Sequence, residues 1–287
     1  MKKSYLILSH LLITALCIGF FSSAIAQGNL LIFPKRIVFE EGKKTEIINL
    51  TNTSSDTVRY SISFVQFRMD ENGHFDRIAE PDPGQFFADE FLRYYPRTVT
   101  LGPNESQVVK LQLTKTTSLQ PGEYRSHLYF RAEMPSDPLG EFNTPADTSS
   151  VSVRLIPVFG MTIPCIIRIG ESSTDVEISN LTLAEGKDSQ TNLQLEFQRK
   201  GNFSSYGDVM VTYKSANGKL IPVGYVRGVG IYAPGTIRKL TMALEGDRVL
   251  DFTEGELNVE YVSNSNKSKV LASARLSITQ LITVRAN

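Results

Sequence analysis

The stretch from Ser149 to Arg168, SSVSVRLIPVFGMTIPCIIR, is too long and too apolar for an ordinary surface strand of a small β domain. Its first half alternates: Val151, Val153 and Leu155 face one way in an extended chain, and Ser150, Ser152 and Arg154 the other, the period-2 signature of a half-buried strand. From Ile156 the alternation gives way to a nearly continuous apolar run through Pro157, Val158, Phe159, Met161, Ile163, Cys165, Ile166 and Ile167. That half reads as buried on both sides. The stretch is expected to be the last strand of a first domain, continuing into a hinge that leads to a second.

Short alternating runs with turn punctuation precede it. LLIF, RIVFE, TEIINLTN and TVRYSISFVQFRM read as strands, and Asn72-Gly73 supplies a hairpin turn because Gly accepts the positive φ such turns demand. Residues 80–95 interrupt the pattern with prolines, then show Phe86, Phe87, Phe91 and Leu92 at a spacing compatible with one helical turn or two. Strands resume at RTVTL and QVVKLQLT, and Pro121-Gly122 leads into YRSHLYFRAEM. A turn followed by Tyr124 at the start of a late strand fits a tyrosine corner; a plain half-buried tyrosine is the alternative. Residues 134–148, rich in Pro, Asp, Gly and Thr, read as a long loop. About seven strands are expected up to Arg168, in line with one sandwich. Seven further runs follow, from VEISNLTL to SKVLASARLSITQ, with Asn217-Gly218 marking another hairpin. No helical period of convincing length occurs, so the fold class expected is all-β.

The N-terminus changes the picture of location. Lys2 and Lys3, an apolar run from Tyr5 to Phe21 and Ala24-Ile25-Ala26 at the end predict a secretory signal peptide over 1–26, cleaved after Ala26; an uncleaved anchor is the alternative. The remaining chain is divided into a first domain over 27–170 and a second over 171–287, and is expected to be exported and periplasmic, with no stable membrane span after cleavage. Only Lys2 and Lys3 leave with the signal, so the balance of 30 basic and 30 acidic side chains barely changes and gives no footprint for nucleic acid. Of two cysteines only Cys165 remains, which precludes an intramolecular disulfide and reads as a buried filler.

Catalytic candidates are thin. His74 beside a turn and His127 in a strand have no metal-ligand spacing and no nucleophile motif nearby. The Asp70–Gly73 turn has the wrong glycine spacing for a calcium loop. Gly228-Val229-Gly230 precedes a strand rather than a helix, so bulges or turns are expected there in place of a phosphate loop. No enzyme, metal or cofactor is therefore expected. What stands out is apolar surface: Val151, Val153 and Leu155 on a strand near a sheet edge either complete the domain's own core or await a partner strand by β-augmentation.

Several residues in order resemble the PapD-like periplasmic chaperones of pilus assembly: Arg36-Ile37-Val38-Phe39, Leu50-Thr51-Asn52, Tyr95-Pro96-Arg97 through Leu101-Gly102-Pro103, Tyr124 through Phe130, Pro135, and the long strand ending in Arg168. The resemblance covers about half of the chain that follows the signal. It implies two immunoglobulin-like β-sandwich domains set at an angle, with Val151, Val153 and Leu155 lent to an incomplete, exported pilin-like subunit. It also implies that Arg36 is one of a basic pair holding the subunit's C-terminal carboxylate, a task suited to a guanidinium's planar fork. The family's lysine of that pair stands four residues before an arginine that is followed by proline. Here that position is Pro164, and Arg168 is followed by Ile169, so a second charge must come from elsewhere; Arg154 lies on the right strand at the wrong spacing.

The function expected is a non-enzymatic periplasmic chaperone or adaptor that donates its 149–156 strand. A structural or adhesive cell-envelope protein on the same scaffold is the alternative, and self-association is left open.

Overall fold

The computed structural model describes residues 30–40, 42–133, 158–187, 190–245, 252 and 254–278. The predicted signal peptide and Val151, Val153 and Leu155 lie outside the described residues.

The architecture is all-β, built as two β-sandwich lobes. In the first lobe, β1 (Leu30–Phe33), β3 (Thr45–Asn52), β8 (Ser106–Leu113) and β6 (Leu92–Tyr95) form one sheet in the order β1-β3-β8-β6. The facing sheet is ordered β2-β10-β9-β4-β5, from β2 (Ile37–Phe39), β10 (Gly160–Ile169), β9 (Gly122–Glu133), β4 (Val58–Met69) and β5 (Phe75–Ile78), and β7 (Thr98–Leu101) also pairs with β4. Among the described residues ten strands stand where about seven were expected, because the leading segment and the region after β4 break into short pieces. Only a single 3₁₀ turn, Asp89–Phe91, fills the interruption near residue 90.

Period-2 alternation drives the packing. Ile48 and Leu50 of β3, Val109 and Leu111 of β8, Leu128 and Phe130 of β9, and Ile163, Cys165 and Ile167 of β10 meet in one buried cluster. The Tyr124 hydroxyl accepts from Gln120 N at 3.0 Å and lies 3.3 Å from Gln120 O, so the tyrosine corner is present. Asn52 is wholly buried, and its Nδ2 donates to the carbonyls of Asp56, Leu101 and Gly102. That amide clips the loop after β3 to the turn after β7.

The second lobe packs β11 (Asp175–Glu185), β12 (Thr191–Lys200) and β15 (Ile237–Ala243) against β14 (Leu220–Ile231), β13 (Ser205–Ser215), β16 (Gly255–Ser263) and β17 (Val270–Ile278). Its own cluster centres on Phe197, Val209, Val259 and Tyr261. The glycine-rich run falls on β14, opposite register shifts in β13, and Gly228 has φ of 69°; the run forms bulges, as expected. Among the described residues no helix is long and apolar enough to cross a membrane.

Candidate functional site: an open strand edge and a basic cavity between the lobes

Strand β10 pairs along its whole length with β9, from Gly160 opposite Arg131 to Ile169 opposite Gly122. On its other side β2 runs parallel to it and covers only Cys165–Ile167. Among the described residues, the edge from Gly160 to Pro164 therefore has no neighbouring strand. A sheet edge left this way presents unpaired backbone groups to any extended chain.

Side chains on this edge depart from the sequence reading, which took the second half of the stretch as buried on both sides. Residues 160–162 are exposed, and so are Val158 at 42%, Phe159 at 53% and Met161 at 37%. Parity explains this: Ile167, Cys165 and Ile163 project into the core, and Met161 and Phe159 lie on the same face by the strand's period of two. The core-facing row simply runs on beyond the sandwich that covers it. Sequence reasoning missed Phe159 and Met161 because a row of apolar residues looks the same whether or not the opposing sheet reaches it.

Arg36 stands just before β2, and the parallel register of Ile37 with Cys165 sets it abreast of Pro164. Both line a cavity of about 300 Å³ between the lobes. Lys35, Met69, Phe75, Tyr206, Val226, Arg227, Val229, Tyr232, Arg238 and Leu240 complete most of the wall. Four cationic side chains and no carboxylate line it.

The arginine is held in place from the second lobe. Arg36 Nη1 donates to Tyr232 Oη at 2.8 Å, and its guanidinium lies 4.6 Å from the ring centroid of Tyr206 and 5.2 Å from that of Tyr232. Beneath Tyr232 a second guanidinium, Arg125, sits 4.3 Å from the ring centroid, only 4% exposed. Its Nη2 donates to Phe67 O at 3.3 Å. Burial pushes Arg125 below the usual arginine range, and nearby Tyr232 and Glu123 work against that shift. Arg36 Nη2, Arg125 Nε and Nη1, and Arg238 Nε are buried without a hydrogen-bond partner. Arg125 lies outside the lining, and the four cations that do line the cavity, with no carboxylate among them, make its wall suited to an anion.

His127 packs edge-on against Phe67 and Phe75, with centroids 5.0 and 5.6 Å away. Burial, then the charges of Arg125 and Arg36, lower its pKa to about 3. It is a neutral packing residue. His74 lies in the β4–β5 turn, beside Asp70 at 3.1 Å, and Cys165 is fully buried with no disulfide partner. No group of three or more His, Cys, Asp or Glu residues suited to a metal ion occurs among the described residues. Arg168 joins the lobes: its Nε pairs with Glu123 Oε2 at 3.0 Å and its Nη2 donates to Ser204 O at 2.7 Å.

No family model matches the chain, and no curated protein matches it in sequence. Solved structures do match. The YadV chaperone is 12% identical, with 88% of this chain and 100% of that chain covered and a TM-score of 0.42. For the class 5 fimbriae chaperone CfaA the values are 16%, 88%, 100% and 0.41. For the E. coli chaperone DraB they are 11%, 87%, 96% and 0.41.

Proposed function

We propose that this protein is a non-enzymatic periplasmic chaperone or adaptor that holds exported, pilin-like subunits by lending them strand β10 and the segment before it. The observation that carries this reading is the open edge at Gly160–Pro164, with an apolar row that outruns its own sandwich and ends beside a cationic cavity. Backbone pairing along such an edge supplies affinity, and alternate side chains supply specificity.

Polarity follows from the register. A client strand whose terminal carboxylate docks at Arg36 must lie opposite Pro164 at its end and opposite Gly160 further back. It therefore runs parallel to β10. The odd-numbered row of Phe159 and Met161 continues in sequence through Leu155, Val153 and Val151, so these three donate on the same face if the strand extends in register. Arg36 is the anchor. The division of the chain at residue 170, with the signal removed at residue 26, belongs to the same proposal.

Native mass measurement after purification from the host tests it. A chaperone carries a foreign subunit, one per chain, and Leu155→Lys or Met161→Lys releases that subunit while the protein stays folded. A self-associated or empty protein would favour the structural or adhesive envelope reading.

A further inference from the structure

The face of the β10 edge that turns away from the sandwich core is built differently from the apolar row. Ala132 N donates to Phe159 O at 2.9 Å, so by antiparallel alternation Phe159, Met161 and Ile163 direct their backbone groups to β9, while Gly160 and Thr162 direct theirs to the free edge. Gly160 stands opposite Arg131 and Thr162 opposite Tyr129, in the non-hydrogen-bonded pairs that bring side chains closest. Leu128 and Phe130 belong to the core, so Tyr129 and Arg131 lie on the other face.

Tyr129 does not stay over its own partner. Its ring leans diagonally onto Gly160: Oη stands 2.5 Å, and Cζ 2.7 Å, from where a Cβ on that glycine would be. The missing side chain of Gly160 is thus the gap through which a ring from β9 reaches across the last strand, carrying its hydroxyl to the open edge. Among the described residues that hydroxyl has no hydrogen-bond partner. Arg131 is exposed, and it has no ion-pair partner among them either: Glu133, the next acid along β9, pairs with Arg59 at 2.7 Å.

We infer that Tyr129 is a specificity-determining residue of the strand-holding edge: its hydroxyl, with Arg131 opposite Gly160, reads the client side chain that lies abreast of Gly160 on the outer face, and selects a carboxylate there. This rests on the strand lending proposed above and gives it a second, polar face of recognition beside the apolar row. Neighbouring residues of a parallel pair share a face, and the strands lie about 4.8 Å apart, so that side chain falls beside the ring tip. A phenol donates to a carboxylate in a charge-assisted bond, which is roughly twice as strong as a neutral one. A lysine in the same place would face Arg131 with like charge.

The test uses the whole protein, expressed in a foreign host so that no client accompanies it. The probes are three peptides of alternating threonine and valine with a free carboxyl end, identical except for threonine, glutamate or lysine at the fifth residue from that end, the one abreast of Gly160 when the end lies at Pro164. Calorimetry should show the glutamate peptide bound about fivefold more tightly than the threonine peptide, and the lysine peptide bound most weakly. Tyr129→Phe keeps the ring over Gly160 and removes the hydroxyl; it should cut the glutamate preference to about twofold or less and leave the threonine peptide's affinity unchanged. Arg131→Gln, a surface change that is read in the same way if the phenylalanine variant unfolds, should bring the lysine peptide level with the threonine peptide. Equal binding of all three peptides to the unmutated protein, or a glutamate preference that survives Tyr129→Phe, would overturn this inference and leave strand lending standing. Failure to bind any of the three would overturn both.

Discussion

Arg36 and Tyr232, 196 positions apart in the chain, meet across the two lobes at 2.8 Å. That single bond fixes the guanidinium over the cavity, because the two rings it lies over, Tyr206 and Tyr232, both belong to the second lobe. Tyr232→Phe keeps the ring and removes the acceptor. The expected outcome is a client affinity lower by about fivefold, equivalent to about 1 kcal/mol, together with a lower denaturant midpoint from the donor left unpaired. A double-mutant cycle with Arg36→Gln reads the coupling directly, since phenylalanine should cost little once Arg36 is gone.

The junction between the lobes depends on Glu123. Its side chain is 1% exposed, pairs with Arg168, accepts from Ser204 N at 2.9 Å and accepts from the Ser204 hydroxyl. Glu123→Ala leaves a largely buried guanidinium and two serine donors without their carboxylate. A loss of about 3 kcal/mol or more is expected, seen as a lower urea midpoint. Arg168→Lys should recover little of the pairing, because an ammonium cannot hold both Glu123 and the Ser204 carbonyl as the planar fork does.

Acid should weaken the fold through His127. Burial and the adjacent Arg125 and Arg36 charges hold its folded-state pKa at about 3, against 6.5 for the free side chain. The unfolded chain therefore binds the extra proton first as pH falls. The contribution is complete above pH about 6.5 and is lost progressively as pH falls towards about 3. Unfolding midpoints measured across that window should fall less steeply for His127→Phe than for the unmutated protein.

Cys165 should be inert while the protein is folded. Burial pushes its thiol up to about 12 and leaves no path for reagent. An alkylating reagent at neutral pH should label it only at the rate of unfolding, and rapid labelling of the native protein would contradict the packing described for β10.

Much of this was legible in the sequence. Alternation in TEIINLTN and QVVKLQLT predicted strands, Asn-Gly pairs at 72–73 and 217–218 predicted the hairpins, and the corner found at Tyr124 was one of two readings that turn and strand order left open. Arg36 was picked out and does line the cavity. Arg238, Tyr232 and Arg125 were not, for a physical reason: they join the site through the packing of one lobe on the other, and no local period or spacing encodes that contact. The same limit applies to Met161 and Phe159. Their apolarity was plain, but whether a sheet covers them is decided by where the opposing strands end.

The central claim is that the edge of β10 between Gly160 and Pro164 is kept for a client's strand. Amide hydrogen exchange at Gly160 and Thr162, whose N–H groups face away from β9, followed in the free protein and in the complex isolated from the host, tests it most directly. The account predicts slowed exchange at these positions in the complex, lost again when the client is released by Met161→Lys. Equal exchange in the free and complexed protein, with protection appearing elsewhere on the surface, would contradict it.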